Sequence, residues 1–463
     1  MFKAIFAKEL LENFASRRIL MVLVLCLILV PLGVYVGGRD YQVRLHAYQE
    51  SFRLYQQDHK TVEDILYKGG GKGFRPPSPF GFLSQGLDII VPNIAESPAT
   101  TRQKPPIDIR LNNNQSYENL YASFYGPLDL VFIVSVIMTF LAIVFSFGAV
   151  SGEKEQGTLR QILGNSVPRP TVILAKTAAH FSILVGAFLA AMILSLLVLI
   201  ACGYSLAGPG GVLGETALAL VLSILVIGAF LNLGLLVSAL TRQAVSSFII
   251  LLLCWVFLFG VFPRLSVVMA QLISPVKSQQ LLLQERNRVR LENEKARSVE
   301  IDKIVESGDN TQEKQDAVSA EFRAKLTQAF QKLDREQDNR QNAQMQLAVH
   351  ISRLSPVSCF VRPMAEVART GWMQFEQYRQ DVGRFGAALD DQVYGQYQEF
   401  RQKGGSNVGF KGNGSAPAPV LQAGRIRTED VVKNVLPDAL LLVAFNLLFF
   451  TGAFVAFLRY DVR

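Results

Sequence analysis

Six blocks of this chain are long and apolar enough to cross a lipid bilayer as helices, and that constrains every other reading of it. A hydrocarbon core about 30 Å thick requires about 20 apolar residues in a helix. The blocks are Ile19–Gly37, Leu128–Val150, Val172–Cys202, Val212–Leu240, Val245–Phe262 and Ala439–Leu458. Unpaired backbone groups are intolerable in lipid, so each block is expected to be helical. The fold class that follows is an all-α polytopic membrane protein with six transmembrane helices. The first block resembles a signal peptide, but no small-residue cleavage site follows it, so it reads as a retained anchor.

Overall composition decides little, because half the residues are hydrophobic, close to the average for soluble proteins. The distribution of charge decides more. Lys3, Lys8, Arg17 and Arg18 precede the first block, and Lys154, Arg160, Arg169 and Lys176 lie between the second and third. Arg242 lies between the fourth and fifth, and Arg459 and Arg463 follow the sixth. Six alternating spans place these four segments on one side, and all four are basic. Lysine and arginine mark the cytoplasmic side, so both termini are expected there, in the inner (plasma) membrane. The net charge of +8 then needs no nucleic-acid partner.

The expected organisation has five parts. Residues 1–38 form an N-terminal amphipathic helix and the first span. Residues 39–126 form a first extracytoplasmic segment. Residues 127–276 hold spans two to five, with a cytoplasmic loop at 151–171. Residues 277–435 form a second, largely helical extracytoplasmic domain, and 436–463 the sixth span and a cytoplasmic tail. In the first insertion Tyr41–Tyr67 reads as a helix, broken by Gly69-Gly70-Gly71 and by Pro76-Pro77-Ser78-Pro79. Lys72 after three glycines lacks P-loop spacing and reads as part of a flexible turn. In the second insertion, Gln279–Glu306 and a helix running to about Leu354 flank the turn Ser307-Gly308-Asp309-Asn310. Val318, Phe322, Leu326, Phe330 and Leu333 make one apolar stripe. That pattern predicts an antiparallel helical hairpin, with the stripe between its arms or turned to an outer partner or a second copy of this protein. A further helix is expected over 365–402, and a loose linker over Gly404–Pro419.

No catalytic constellation is present. The four histidines, His46, His59, His180 and His350, lack metal-site spacing. The four cysteines form no CxxC, and three lie in or beside apolar blocks, where packed, inert thiols are expected. Cys359 alone falls in a polar stretch. GxSxG, HExxH and kinase motifs are missing. Energy must come from the membrane potential, an ion gradient or a separate protein. The span centres are nearly empty of charge, which argues against ion coupling. Asn232 and Asn446 are their central polar residues and read as interhelical hydrogen-bond glue. Asp129, Glu215 and Asp438 sit near the outer ends, where charge is expected to be cheap. Asn-x-Ser sequons occur at Asn114 and Asn413.

The most specific stretch is Ser151–Lys176, SGEKEQGTLRQILGNSVPRPTVILAK. Ser151 suits a helix cap, and Glu153 and Glu155 suit a first turn. Leu159, Ile162 and Leu163 form an apolar edge, Gly164-Asn165 ends the helix, and Pro168 and Pro170 stiffen the return. A short amphipathic helix tied to two spans is expected.

This stretch resembles the loop of ABC type-2 transporter permeases, in which a Gly-Glu-Lys-Glu-x-Gly-Thr-Leu motif follows the second span. Gly152, Glu153, Lys154, Glu155, Gly157, Thr158 and Leu159 match it, and Arg169 and Lys176 match the basic residues that follow. The approach Gly126-Pro127-Leu128-Asp129-Leu130 is similar too, as are Ala7-Lys8-Glu9-Leu10 and Ser16-Arg17-Arg18 before the first span. The large insertions resemble those of the gliding-motility and copper-maturation branch. The resemblance implies a non-catalytic permease of an ATP-driven exporter, paired with a second copy or a related permease. ATP and Mg would be bound by a partner ATPase, and this chain would hold no cofactor. It implies that 151–165 is the coupling helix, with Glu153 and Glu155 transmitting force and Arg160 offering a salt bridge to the ATPase. Lys8, Glu9, Arg17 and Arg18 would belong to an interfacial helix beside it. A re-entrant hairpin before the last span is also implied, with Arg264–Val276 and about Leu347–Phe360 as its limbs. Two alternatives stand beside export: a mechanotransmitter whose outer helices move an extracytoplasmic partner, and a membrane receptor or scaffold.

Overall fold

A computed structural model describes residues 2–14, 17–60, 71–96, 110–111, 128–164, 167–204, 212–307, 311–402, 420–421, 424 and 426–460. The chain forms two compact units, one of residues 1–259 with 356–463 and one of 260–355. Six helices have the length and apolarity to cross a membrane. The fold is all-α and polytopic, apart from a small antiparallel sheet of β1 (Lys72–Phe74), β2 (Ile94–Glu96) and β3 (Arg110–Leu111), in that order.

In the first unit, α1 (Phe2–Phe14) precedes α2 (Arg17–Asp58). The first span and the helix expected after it are one element, which continues through Pro31. Membrane helices tolerate such a proline where neighbours re-satisfy the freed carbonyl. The second span, α3, comprises Leu130–Phe132, a π-helical turn Ile133–Met138, and Thr139–Ser146. Two short helices follow, α4 (Ser151–Gln156) and α5 (Thr158–Gly164). The third span is α6 (Arg169–Ala201) and the fourth α7 (Val212–Leu240). The fifth begins as α8 (Ala244–Trp255).

Close approach of these helices depends on small residues, as membrane packing requires. A Cβ at Gly234 of α7 would collide with Ser146 of α3, and one at Gly228 would meet Asn446 Oδ1 at 2.7 Å. Asn232 Nδ2 donates to Asn446 Oδ1 at 3.0 Å, and Asn446 Nδ2 donates to the carbonyls of Leu225 and Leu442, each at 2.8 Å. These two residues tie the fourth span to the sixth. Trp255 Nε1 donates to Thr139 Oγ1 at 3.0 Å, which ties the fifth span to the second.

The second unit contains α9 (Phe262–Ile273), α10 (Gln279–Glu306) and α11 (Gln312–Ser352). Arg286 pairs with Asp334 and lies 5.5 Å over the Phe330 ring, while Asn293 Nδ2 donates to the Phe322 carbonyl at 3.0 Å. These contacts define an antiparallel hairpin. The stripe Val318, Phe322, Leu326, Phe330 and Leu333 is half-buried within it. Gln344 Nε2 donates to the Ser274 carbonyl at 2.7 Å, so the hairpin closes at its base as well. Of the residues Arg264–Val276, expected as one limb of a re-entrant hairpin, those up to Ile273 belong to the helix α9.

The unit boundary falls at Ser355, well before the expected domain end near 435. After it come α12 (Ser358–Val367), α13 (Trp372–Gln402) and α14 (Thr428–Leu458), the last carrying the sixth span. The expected single helix over 365–402 divides at the turn 368–371. The sixth span's helix starts at Thr428, eleven residues before Ala439, directly after Arg427, whose backbone is extended. Cys359 is buried at the core of α12, not in polar surroundings, whereas Cys202, expected to be packed, is exposed. Lys72 pairs with Glu96 at 3.1 Å across the β1–β2 ladder, an ordinary strand contact. The sequons at Asn114 and Asn413 lie outside the described residues.

Glu366 accepts from the amides of Trp372 and Met373, both at 3.2 Å, and so caps α13. Burial pushes its carboxyl above the ordinary range, against the Met373 amide, the Arg362 charge and the Trp372 amide. A carboxyl raised on folding stabilises the fold below its unfolded value, and that contribution is lost as pH rises through the folded value. Thermal unfolding of detergent-purified protein should therefore occur at lower temperature at neutral than at mildly acidic pH, and Glu366→Gln should flatten that dependence. The same assay checks the helix packing. Gly234→Val is expected to destabilise by about 1–3 kcal/mol through overpacking. Gly186→Val, where a side chain meets nothing within 4 Å, should leave stability nearly unchanged.

Candidate functional site: the 151–164 loop and its anchors

The loop between the second and third spans is two helical turns broken by a glycine. Gly157 has φ of 74°, a left-handed conformation that closes α4. A residue with a Cβ is strained there, which explains glycine at this position. The single helix expected over 151–165 is thus a kinked pair. Nothing in the structure explains glycine at 152, where a side chain would meet nothing within 4 Å.

At the centre lies an ion triad. Lys176 of α6 is 1% exposed, and its Nζ donates to Glu9 Oε1 and to Glu153 Oε1, each at 2.6 Å. One buried cation thereby joins α1, α4 and the third span. A lysine is almost never buried unless paired, and two carboxylates satisfy two of its three donors. Glu9 is itself buried, and Lys8 pairs with Glu12 at 3.3 Å on the exposed face of α1. Arg17 and Arg18 open α2, but their side chains lie outside the described residues.

The other motif residues anchor the remaining spans. Lys154 Nζ donates to the carbonyls of Ala239 and Thr241 (the latter at 3.1 Å) and stands 4.7 Å from the Tyr460 ring centroid. It satisfies the C-terminal carbonyls of the fourth span, where a cation also complements the helix dipole. Glu155 Oε2 accepts from the Ala244 amide at 3.1 Å, the mirror arrangement at the N-terminus of the fifth span. Arg169 Nη1 donates to the carbonyls of Leu458 and Tyr460 at 2.7 and 3.0 Å, closing the end of the sixth. Ser238 Oγ accepts from the amides of Val150 and Ser151, both at 3.0 Å. Ser151 itself does not cap α4; its hydroxyl donates to the Phe147 carbonyl at 2.8 Å. Thr158 Oγ1 donates to the Glu153 carbonyl at 3.4 Å across the kink.

Leu159 is fully buried in a small core of its own with Val150, Val172, Ile173, Ala239 and Phe457, against which Ile5 packs. The residues expected to face a partner therefore divide. Glu153 is turned inward onto Lys176, and Glu155, although exposed, is bonded to the fifth span. Arg160 is exposed, and so are Gln156 and Gln161 beside it. Lys176, expected in the basic flank of the motif, is central instead, and Ser238 and Tyr460 contribute although the sequence does not single them out. The charge of Lys176 inside an apolar block was the available signal, because such a charge needs a buried partner.

Among the described residues no group of His, Cys, Asp and Glu side chains could hold a metal ion. What the arrangement offers is mechanical: a short charged loop anchored on the adjoining ends of the fourth and fifth spans and on Lys176 of the third. With the six candidate spans it belongs to a multi-pass membrane protein. A family model described as ABC-2 family transporter protein matches residues 3–462, and the chain belongs to that family. No curated protein matches the chain.

Truncating the central cation tests the triad. Lys176→Met leaves two carboxylates buried without a counter-ion and is expected to cost about 3–5 kcal/mol. Combining it with Glu9→Gln and Glu153→Gln should recover most of that loss. Thermal unfolding of the purified chain, with tryptic cleavage at Lys8 as a report on α1, measures both.

Proposed function

We propose that this chain is the permease subunit of an ATP-driven exporter in the inner membrane, worked by a separate ATPase that docks on the 151–164 loop from the cytoplasm. The observation that carries this reading is the set of anchors. Glu153, Lys154 and Glu155 connect the loop to the third, fourth and fifth spans, Arg169 at the start of the third span closes the end of the sixth, and Glu9 adds the N-terminal helix. A push on so short and so widely fastened an element moves several spans together, whereas a loop bound to one span would absorb it. In this reading the inward carboxylates hold the lever rigid. Gln156, Arg160 and Gln161 make the contact with the ATPase, which binds ATP and Mg. A second permease, identical or related, completes the assembly.

A second reading is favoured by the α10–α11 hairpin. Arms of 28 and 41 residues span about 42 and 62 Å at 1.5 Å per residue. Such arms suit delivery of motion to an extracytoplasmic partner without cargo crossing. Removing 290–325, which shortens both arms in register, discriminates the two: export should survive this deletion in proteoliposomes, whereas mechanotransmission should not.

The docking claim is tested by co-purification with the cognate ATPase. Arg160→Glu with Gln161→Glu should reduce recovery at least tenfold, about 1.4 kcal/mol or more, without altering thermal stability. Gly157→Trp should reduce it too, by distorting the kink. Undiminished recovery in both variants would remove the docking claim.

A further inference from the structure

The opposite end of the span bundle carries three buried carboxylates, each on a different span and each answered by an insertion. Asp129 caps the second span through the Phe132 amide (2.8 Å), and its other oxygen accepts from the Gln85 amide at 3.0 Å. Glu215, in the first turn of the fourth span, accepts from Arg369 Nη2 at 2.7 Å and from the Thr428 hydroxyl at 3.2 Å. Asp438, in the sixth span, pairs with Arg362 of α12. Their exposures are 3, 2 and 0%. The expectation that charge is cheap here fails: these groups are out of water and depend on their partners.

The two insertions are also wedged into the bundle. Phe82 and Leu83 of the first, and Phe360 and Met364 of the second, are fully buried in the same core as Met138 and Phe230 of the spans. The Cα of Phe82 would lie 2.8 Å from a Cβ at Gly37 of the first span, and the Tyr204 hydroxyl after the third span bonds to the Pro79 carbonyl. Five spans thus meet this wedge. Its two halves are stitched to one another. Ser78 Oγ donates to the Ala368 carbonyl at 2.6 Å, the Leu87 amide to the Thr370 carbonyl at 2.8 Å, and Thr370 Oγ1 to the Ser84 carbonyl at 3.1 Å. Gly86, at φ of 44°, fits only because it has no Cβ, which would stand 2.7 Å from the Thr370 carbonyl.

Arg369 has φ of 56°, the only positive φ outside glycine among the described residues. L residues rarely adopt this conformation, and it persists where the surroundings impose it, often at switching sites. Here it aims the guanidinium at Glu215, across the Phe80 ring at 5.6 Å.

We propose that residues 78–87 and 358–370 form a removable plug that closes this end of the bundle, with Arg369–Glu215 and Arg362–Asp438 as its latches. Buried ion pairs stabilise less than well-packed apolar residues of the same volume, but they fix register. An element that must leave and return to one seat needs register more than maximal adhesion. The plug is seated by groups of this chain alone, so the inference does not depend on the ATPase reading.

Native Cys359, buried in the plug, supplies the reporter. The full-length chain carrying Cys26→Ala, Cys202→Ala and Cys254→Ala is labelled in membrane vesicles with a membrane-impermeant maleimide. Glu215→Gln and Asp438→Asn should each accelerate labelling at Cys359 at least tenfold. Exchanging the pair, with Glu215→Arg and Arg369→Glu together, should return the rate to within about threefold of the parent, an outcome that a misfolded chain cannot give. A parallel chain keeping Cys26, buried in the first span, in place of Cys359 should stay unreactive throughout. An unchanged rate at Cys359 in both latch variants overturns the proposal. So does parallel acceleration at Cys26, because the pairs would then hold the whole bundle and not a plug.

Discussion

One buried ammonium group, that of Lys176, organises the end of the molecule on which the functional reading rests. Burying a lone cation among helices is prohibitive, and two carboxylates from distant parts of the chain remove the penalty. Because Glu9 and Glu153 belong to different elements, satisfying Lys176 also fixes where those elements lie. The N-terminal helix cannot drift from the loop without stranding a charge. The same logic extends outward through Lys154, Glu155 and Arg169, each of which meets orphan backbone groups at a span terminus. Secondary-structure ends that would otherwise need water are closed by one short loop and by the first residue of the third span.

The two ends of the span bundle solve a similar problem differently. At the loop end, charges on a connecting segment neutralise helix ends and one buried lysine. At the opposite end, the spans supply the carboxylates and the insertions supply the arginines. Between them the spans are held by small residues and by the Asn232–Asn446 contact, with no ionisable network among the described residues. Charge is thus concentrated at two levels separated by an apolar middle, an arrangement suited to relative movement of rigid helices.

Much of this was legible in the chain. The six spans stood out because apolar blocks of about 20 residues have no other stable fate in lipid. The hairpin followed from the spacing of Val318, Phe322, Leu326, Phe330 and Leu333. The motif Gly152–Leu159 located the loop. What could not be read was direction. Spacing places Glu153 on a helix but does not say that it faces Lys176 inside the protein, because that depends on a residue 23 positions away and on Glu9, 144 positions before it. Likewise, nothing local distinguishes an acid at a span end in water from Asp438 beneath Arg362. The insertions were read as separate outer domains because polar residues surround them. Their apolar anchors, Phe82 and Phe360 among them, are single residues without a period.

An ATPase can work the 151–164 loop only if that loop faces the compartment that holds nucleotide. Sidedness of labelling at two thiols measures this most directly: one introduced by Gln161→Cys on the exposed face of α5, and native Cys202, exposed at the far end of the third span. With a membrane-impermeant maleimide, the thiol at 161 should react only in inside-out vesicles and Cys202 only in right-side-out ones. Reaction at 161 from the outer face would put the lever beyond the reach of any ATPase and contradict the account.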